Sequence, residues 1–153
     1  MTVCFEPRRA GGFTLIELMV TLVVAAILVS IAVPSYLAQV RKSRRTEARN
    51  AVMDLAAREE RYYSVNNTYT NVASQLGYGT DNAAISARSI GSGYYTVSVD
   101  LMAADPGATP PALAGFKITA TAAGTQQKDE ACQTFAVDAV GTQTSTPSTE
   151  CWN

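Results

Sequence analysis

Glu17 stands alone as a charge inside an apolar run that opens with Gly11-Gly12-Phe13-Thr14-Leu15-Ile16-Glu17 and reaches Val33, where Pro34 interrupts it. A charged side chain at the centre of a membrane helix costs about 2.5 to 3.5 kcal/mol on insertion scales, so an acid kept there has a partner or a route to the surface. The chemistry open to it is electrostatic. Catalytic chemistry has little to work with: the chain has no histidine, which removes the usual general base and the commonest metal ligand. No CxxC pair, Walker sequence or nucleophile elbow occurs, and the other carboxylates are scattered, with no acidic cluster to bind calcium. Gly91-Ser92-Gly93 is too short for a phosphate loop and reads as a turn. These features argue against an enzyme and call for neither cofactor nor metal.

The element that carries Glu17 must be a helix. Residues 13–33 number 21, and at about 1.5 Å per residue they span about 31 Å, the thickness of a bilayer's hydrocarbon core. Arg8 and Arg9 precede the run as they would in a secretory signal, but a signal's apolar region is usually about 7 to 15 residues and holds no acid. A plain single-span anchor suits the length and leaves Glu17 unexplained.

Gly12-Phe13-Thr14-Leu15-Ile16-Glu17-Leu18 resembles the processing and methylation motif of type IV prepilins. The resemblance implies cleavage by a prepilin peptidase between Gly12 and Phe13, N-methylation of Phe13, and a division into a leader (1–12), a transmembrane and assembly helix (13–34) and a periplasmic globular domain (35–153) that includes the second half of the helix. Pro34 falls where pilins commonly have a proline and marks the expected kink. Cleavage leaves a positive amine on Phe13 one helical turn before Glu17, near the positive end of the helix dipole. In a bundle of staggered parallel helices the amine of an incoming subunit then meets the carboxylate of one already in place and sets the axial register, as one buried polar residue does in a coiled coil. The other reading is a Glu17 that snorkels to the nearby interface.

Beyond Pro34 the helical period resumes. Ala48, Ala51, Val52, Leu55 and Ala56 form one apolar stripe, and Glu47, Asp54, Arg58, Glu59 and Arg61 are assigned to the opposite face. Asp54 and Arg58 are an i,i+4 pair in the favourable order. With no strong breaker from Ser35 to Tyr63, one helix is predicted over 14–64. Residues 65–93 read as a turn-rich excursion with little regular structure. Alternation then predicts strands: Tyr95, Val97, Val99 and Leu101 on one face, next Phe116, Ile118, Ala120 and Ala122, next Phe135 and Val137, and a short fourth near Gln143. Residues 105–115 and 124–129 read as hairpin loops. The class is α+β: a long N-terminal helix packed on an antiparallel sheet of three to four strands, the pilin arrangement.

The resemblance also places the cysteines. Cys4 leaves with the leader, and Cys132 and Cys151 remain as a pair near the C-terminus. In an oxidising compartment a bond between them closes a loop worth about 3 kcal/mol and clamps a Thr/Ser/Pro-rich tail, like the disulfide-bounded region of pilins. The ending Glu150-Cys151-Trp152 looks like PilE-type minor pilins. Arg41, Lys42, Arg44 and Arg45 follow the span and oppose the positive-inside rule for a translocated domain. Three readings stay open for them: anionic lipid head groups, acids of neighbouring pilins, or a solvated face.

The implied function is a structural, minor-type subunit of a type IV pilus, made at the inner membrane as a single-pass protein and carried to the cell surface, serving pilus biogenesis, twitching motility or cell adhesion. Implied partners are the prepilin peptidase, the inner-membrane assembly platform, the major pilin and other minor pilins. Two alternatives share the motif: a DNA-uptake receptor and a type II secretion pseudopilin. Nucleic acid is not favoured, because loss of Arg8, Arg9 and Glu6 with the leader leaves 10 basic and 12 acidic residues, with no basic stripe on the globular domain.

Overall fold

Two helical patterns meet at Pro34, one apolar all round and one amphipathic, and they form one element. The computed structural model describes residues 12–107 and 113–152; the leader up to residue 11, with Cys4, Arg8 and Arg9, and the middle of the predicted 105–115 loop lie outside them. Helix α1 covers Leu15–Asn66, 52 residues, within two residues of the predicted ends. It starts at a local cap, in which Thr14 Oγ1 accepts the Glu17 N–H at 3.3 Å. Thr-x-x-Glu is a capping-box spacing, and it is legible at Thr14-Leu15-Ile16-Glu17. Pro34 lies inside α1 and has no N–H to give the Ser30 carbonyl one turn earlier.

The described chain falls into two units, one ending at Gln39 and one running from Val40. The first is bare helix. In the second, α1 is followed by five strands: β1 (Arg88–Ile90), β2 (Tyr95–Met102), β3 (Gly115–Ala122), β4 (Cys132–Asp138) and β5 (Gln143–Pro147), with 3-10 turns at Gly124–Lys128 and Thr149–Trp152. All neighbours are antiparallel and the spatial order is the chain order. Val99 faces Ile118 and Ile118 faces Val137, so three strands deliver one apolar row to the core. Ala48, Val52 and Leu55 are buried on the helix side, and each fully buried Val or Leu side chain contributes about 1.5 to 3 kcal/mol.

Four expectations need correction. The sheet has five strands rather than three to four, because β1 pairs with β2 (Ile90 against Tyr95). The excursion after the helix is accordingly better ordered than its composition suggested: besides β1 it contains a bridge between Val72 and Ala84. Leu101 is exposed, since the buried alternation of β2 stops at Val99. The acids Glu47 and Glu59 do not lie on a solvated face. Glu47 accepts the Ser92 N–H at 2.6 Å and so fastens the turn between β1 and β2. At Gly91, with φ at +43°, a Cβ would stand 1.5 Å from that carboxylate, which explains the glycine. Glu59 is wholly buried and continues the stripe Ala48, Val52, Leu55.

Candidate functional site

Unit one contains an apolar surface that is exposed among the described residues. Ile16, Met19, Val20, Val23 and Val24 line a shallow apolar groove of about 320 Å³, and Phe13, at the head of the run, is 76% exposed. The few polar side chains inside the run are satisfied locally: Thr21 Oγ1 donates to the Leu18 carbonyl at 3.0 Å and Ser30 Oγ to that of Ile27 at 2.7 Å. An apolar helix whose hydroxyls bond back to its own backbone is suited to hydrocarbon, where unsatisfied polar groups are costly. Glu17 remains the one acid of the segment. Its backbone N–H closes the cap, a role that sequence reasoning missed although the Thr14 spacing signals it.

Unit two presents the opposite case, with several of its charges engaged. Arg45 forms a bidentate pair with Asp129, Nε to Oδ2 at 2.7 Å and Nη2 to Oδ1 at 2.6 Å. That hydrogen bonding raises the guanidinium's pKa despite burial. Buried Gln126 joins the same cluster, its amide donating to Asp129 Oδ2 at 3.0 Å, the Tyr95 hydroxyl at 3.2 Å and the Arg41 carbonyl at 3.3 Å. Burial raises the Tyr95 pKa, so the phenol stays neutral at ordinary pH. Arg44 lies over the Tyr94 ring, 3.3 Å from its centroid, a cation–π geometry. Two members of the basic cluster are therefore structural, which the sequence did not reveal because Asp129 and Tyr94 lie about 80 and 50 residues further along the chain.

Further along α1, Arg58 Nε meets Asp54 at 2.7 Å as predicted, and its Nη1 also donates to the Leu76 and Gly77 carbonyls at 3.0 Å. The loop after the helix is anchored again at Glu59, whose Oε2 accepts the Thr70 N–H at 3.2 Å. Glu59 Oε1 has no hydrogen-bond partner among the described residues. Burial, the main cause, raises this carboxyl's pKa to about 7. Tyr69 stacks on Tyr63 at 4.6 Å and meets Phe116 edge-on at 5.0 Å.

Cys132 and Cys151 are bonded, with Cα atoms 5.8 Å apart. The tail that they hold docks through Trp152, which meets Phe135 edge-on at 5.8 Å and donates Nε1–H to the Thr144 carbonyl at 2.8 Å. Arg49 Nη1 reaches the Trp152 carbonyl at 3.0 Å. Among the described residues no group of three or more His, Cys, Asp or Glu could hold a metal ion.

Comparison with known proteins agrees with this division. Residues 7–33 match a family described as the prokaryotic N-terminal methylation motif, and residues 34–136 match one described as "Type IV minor pilin ComP, DNA uptake sequence receptor". The fimbrial protein EcpC of Eikenella corrodens is 34% identical over 127 residues, 83% of this chain and 76% of that protein. The type IV major pilin PilA of Myxococcus xanthus is 31% identical over 77 residues, half of this chain and 34% of that one. PilA4, a wide-pilus major component of Thermus thermophilus, is 36% identical over 73 residues, 47% of this chain and 56% of its own length. The chain thus spans about a third of the Myxococcus pilin and just over half of the Thermus one. A solved type IV pilin from Shewanella oneidensis is 24% identical, covering 74% of this chain and 98% of that one with a TM-score of 0.48. With a methylation motif on the apolar run and a minor-pilin match over most of the remainder, the chain belongs to the type IV minor pilins.

Proposed function

We propose that the chain is a pilus subunit cleaved between Gly12 and Phe13, methylated on Phe13, anchored in the inner membrane by residues 13–34 with residues 35–153 in the periplasm, and built into the fibre by that same helix. The observation that carries this is the uncovered apolar surface of residues 13–33 bearing one acid, Glu17. Side chains of that kind are stable in lipid or against other helices of the same kind, and assembly moves them from the first to the second. The amine of Phe13 on an incoming subunit pairs with Glu17 of a neighbour and fixes the stagger. Pro34, which leaves the Ser30 carbonyl without its helical donor, is where the helix bends most easily. Processing needs the prepilin peptidase, and incorporation needs the assembly platform, the major pilin and other minor pilins. The role is structural rather than catalytic.

The test is Glu17→Val, scored as leader-free protein in the membrane and as protein in sheared pili, with the mature N-terminus read by mass spectrometry. The variant inserts and is cleaved normally, because removing a charge from the span lowers its cost in lipid. Incorporation falls by two orders of magnitude or more, since an unpaired buried cation costs about 3 to 5 kcal/mol. Normal incorporation would show that Glu17 merely snorkels, and an intact leader in cells with active peptidase would defeat the assignment.

The family description of residues 34–136 supports a second role, reception of DNA during uptake. The acidic balance of the mature chain weighs against a strong phosphate-driven contribution. Deleting the gene and scoring piliation, twitching and transformation separates the two: loss of transformation with normal pili and twitching favours the receptor.

A further inference from the structure

Arg41, Lys42 and Arg44 follow the apolar run on the same helix, and the fold adds a fourth basic residue from far along the chain. Arg41 Nη1 reaches the carbonyl of Lys128 at 3.5 Å, and Arg44 Nη1 reaches Thr125 Oγ1 at 3.4 Å. Both contacts fall on the 3-10 turn Gly124–Lys128, so Lys128 joins the cluster. Arg45 is spent on Asp129. Lys42 and Lys128 are exposed and form no ion pair among the described residues. Glu130, two residues beyond Lys128, is the nearest exposed acid in sequence.

We infer that this patch docks on anionic lipid head groups while the subunit waits in the membrane. The inference rests on the reading of residues 13–34 as a membrane span. Arg41 follows Val33 by eight residues, about 12 Å of helix rise, and helical side chains slope back toward the helix N-terminus. Arg41 and Lys42 therefore lean toward the bilayer from just beyond its apolar core, where long basic side chains reach phosphates. Tyr36, 69% exposed, lies between the run and the patch at the depth that amphipathic aromatics prefer. The positive charges that run against the positive-inside rule thus have a membrane use. Continuity with the span favours lipid over DNA as the source of the phosphate, because Arg41 and Lys42 follow the apolar run directly on α1. Each basic residue near an anionic surface shifts the docked population roughly fivefold.

The test uses the full processed chain in nanodiscs of phosphatidylcholine alone, or with one third phosphatidylglycerol, and reads hydrogen exchange across residues 124–130. Phosphatidylglycerol should slow exchange there at least threefold, and 0.5 M salt should abolish the effect. Lys42→Gln with Lys128→Gln should lose it, whereas the charge-matched control Arg61→Gln with Lys117→Gln should keep it. Exchange that ignores lipid composition overturns the docking alone. Protection by inorganic phosphate in phosphatidylcholine discs, to the same degree, would make this a free-anion site and overturn the lipid assignment, and equal protection by duplex DNA would reassign it to nucleic acid. Failure of the chain to enter either disc overturns the membrane reading and the docking with it.

Discussion

The two halves of α1 solve opposite problems with one backbone. Before Pro34 the helix shows exposed apolar side chains on every side and a lone acid. After Val40 the apolar side chains narrow to the stripe Ala48, Val52, Leu55, which the protein's own sheet covers, and Arg45, Glu47, Arg49, Asp54 and Arg58 each meet a partner at 2.6 to 3.0 Å. The first half is unfinished without lipid or other subunits. The second is finished alone. A helix can belong to two environments if its polar pattern changes where its solvent does, and here the change falls between Val33 and Arg41.

Core truncation is the strongest way to break this contrast. Leu55→Ala should destabilise the globular unit by about 2 to 5 kcal/mol, while Leu22→Ala in the exposed half should leave its melting in detergent unchanged. Equal effects would mean that the halves are not independent. Next in size is the tail clamp, where Cys151→Ser should cost about 3 kcal/mol by the loop estimate. Melts with and without reductant check this, since the variant should match the reduced parent.

Glu59 gives a pH-dependent version of the same contrast, because it is a wholly buried acid whose Oε1 has no hydrogen-bond partner among the described residues. Burial raises its folded pKa to about 7, above the carboxyl's ordinary 4.5. Below pH 4.5 the group is neutral in both states and costs nothing. As pH rises from 4.5 to 7 the unfolded chain releases its proton while the folded one keeps it, so stability falls, by up to about 3 kcal/mol, and then levels off. Glu59→Gln should therefore melt higher than the parent at pH 8, with the advantage gone at pH 4.5. A difference independent of pH would refute the buried-charge account. The smallest effect belongs to Asp54→Ala, which removes a half-exposed partner of Arg58 and should cost under about 1 kcal/mol in a double-mutant cycle.

What the sequence made legible follows period and motif. The helix, strands β2 to β4 and their buried faces come from spacings of 3.6 and 2, and the paired cysteines from the family resemblance. Strand β1 escaped because three residues carry no alternation; its place depends on Tyr95 and Val97 across the ladder. Glu59 continues the buried stripe of Ala48, Val52 and Leu55, a position that helical spacing shows and that its charge disguises. The partners of Arg44 and Arg45 are set by tertiary approach over long stretches of chain, which no local pattern records. Glu17 itself was legible as an anomaly, whereas its share in the cap with Thr14 was overlooked.

The order of the sheet has a last consequence, for aggregation. An antiparallel meander leaves two open rims, β1 and β5, and an open rim is a template on which another chain can add a strand. Here one rim is three residues long and starts with Arg88, while the other reads Gln-Thr-Ser-Thr-Pro and ends on a residue with no N–H to offer. Neither invites runaway strand addition at the crowding that a polymer of these subunits imposes. On the proposed assembly through α1, rims of this kind offer little template for the strand addition that starts the amyloid route.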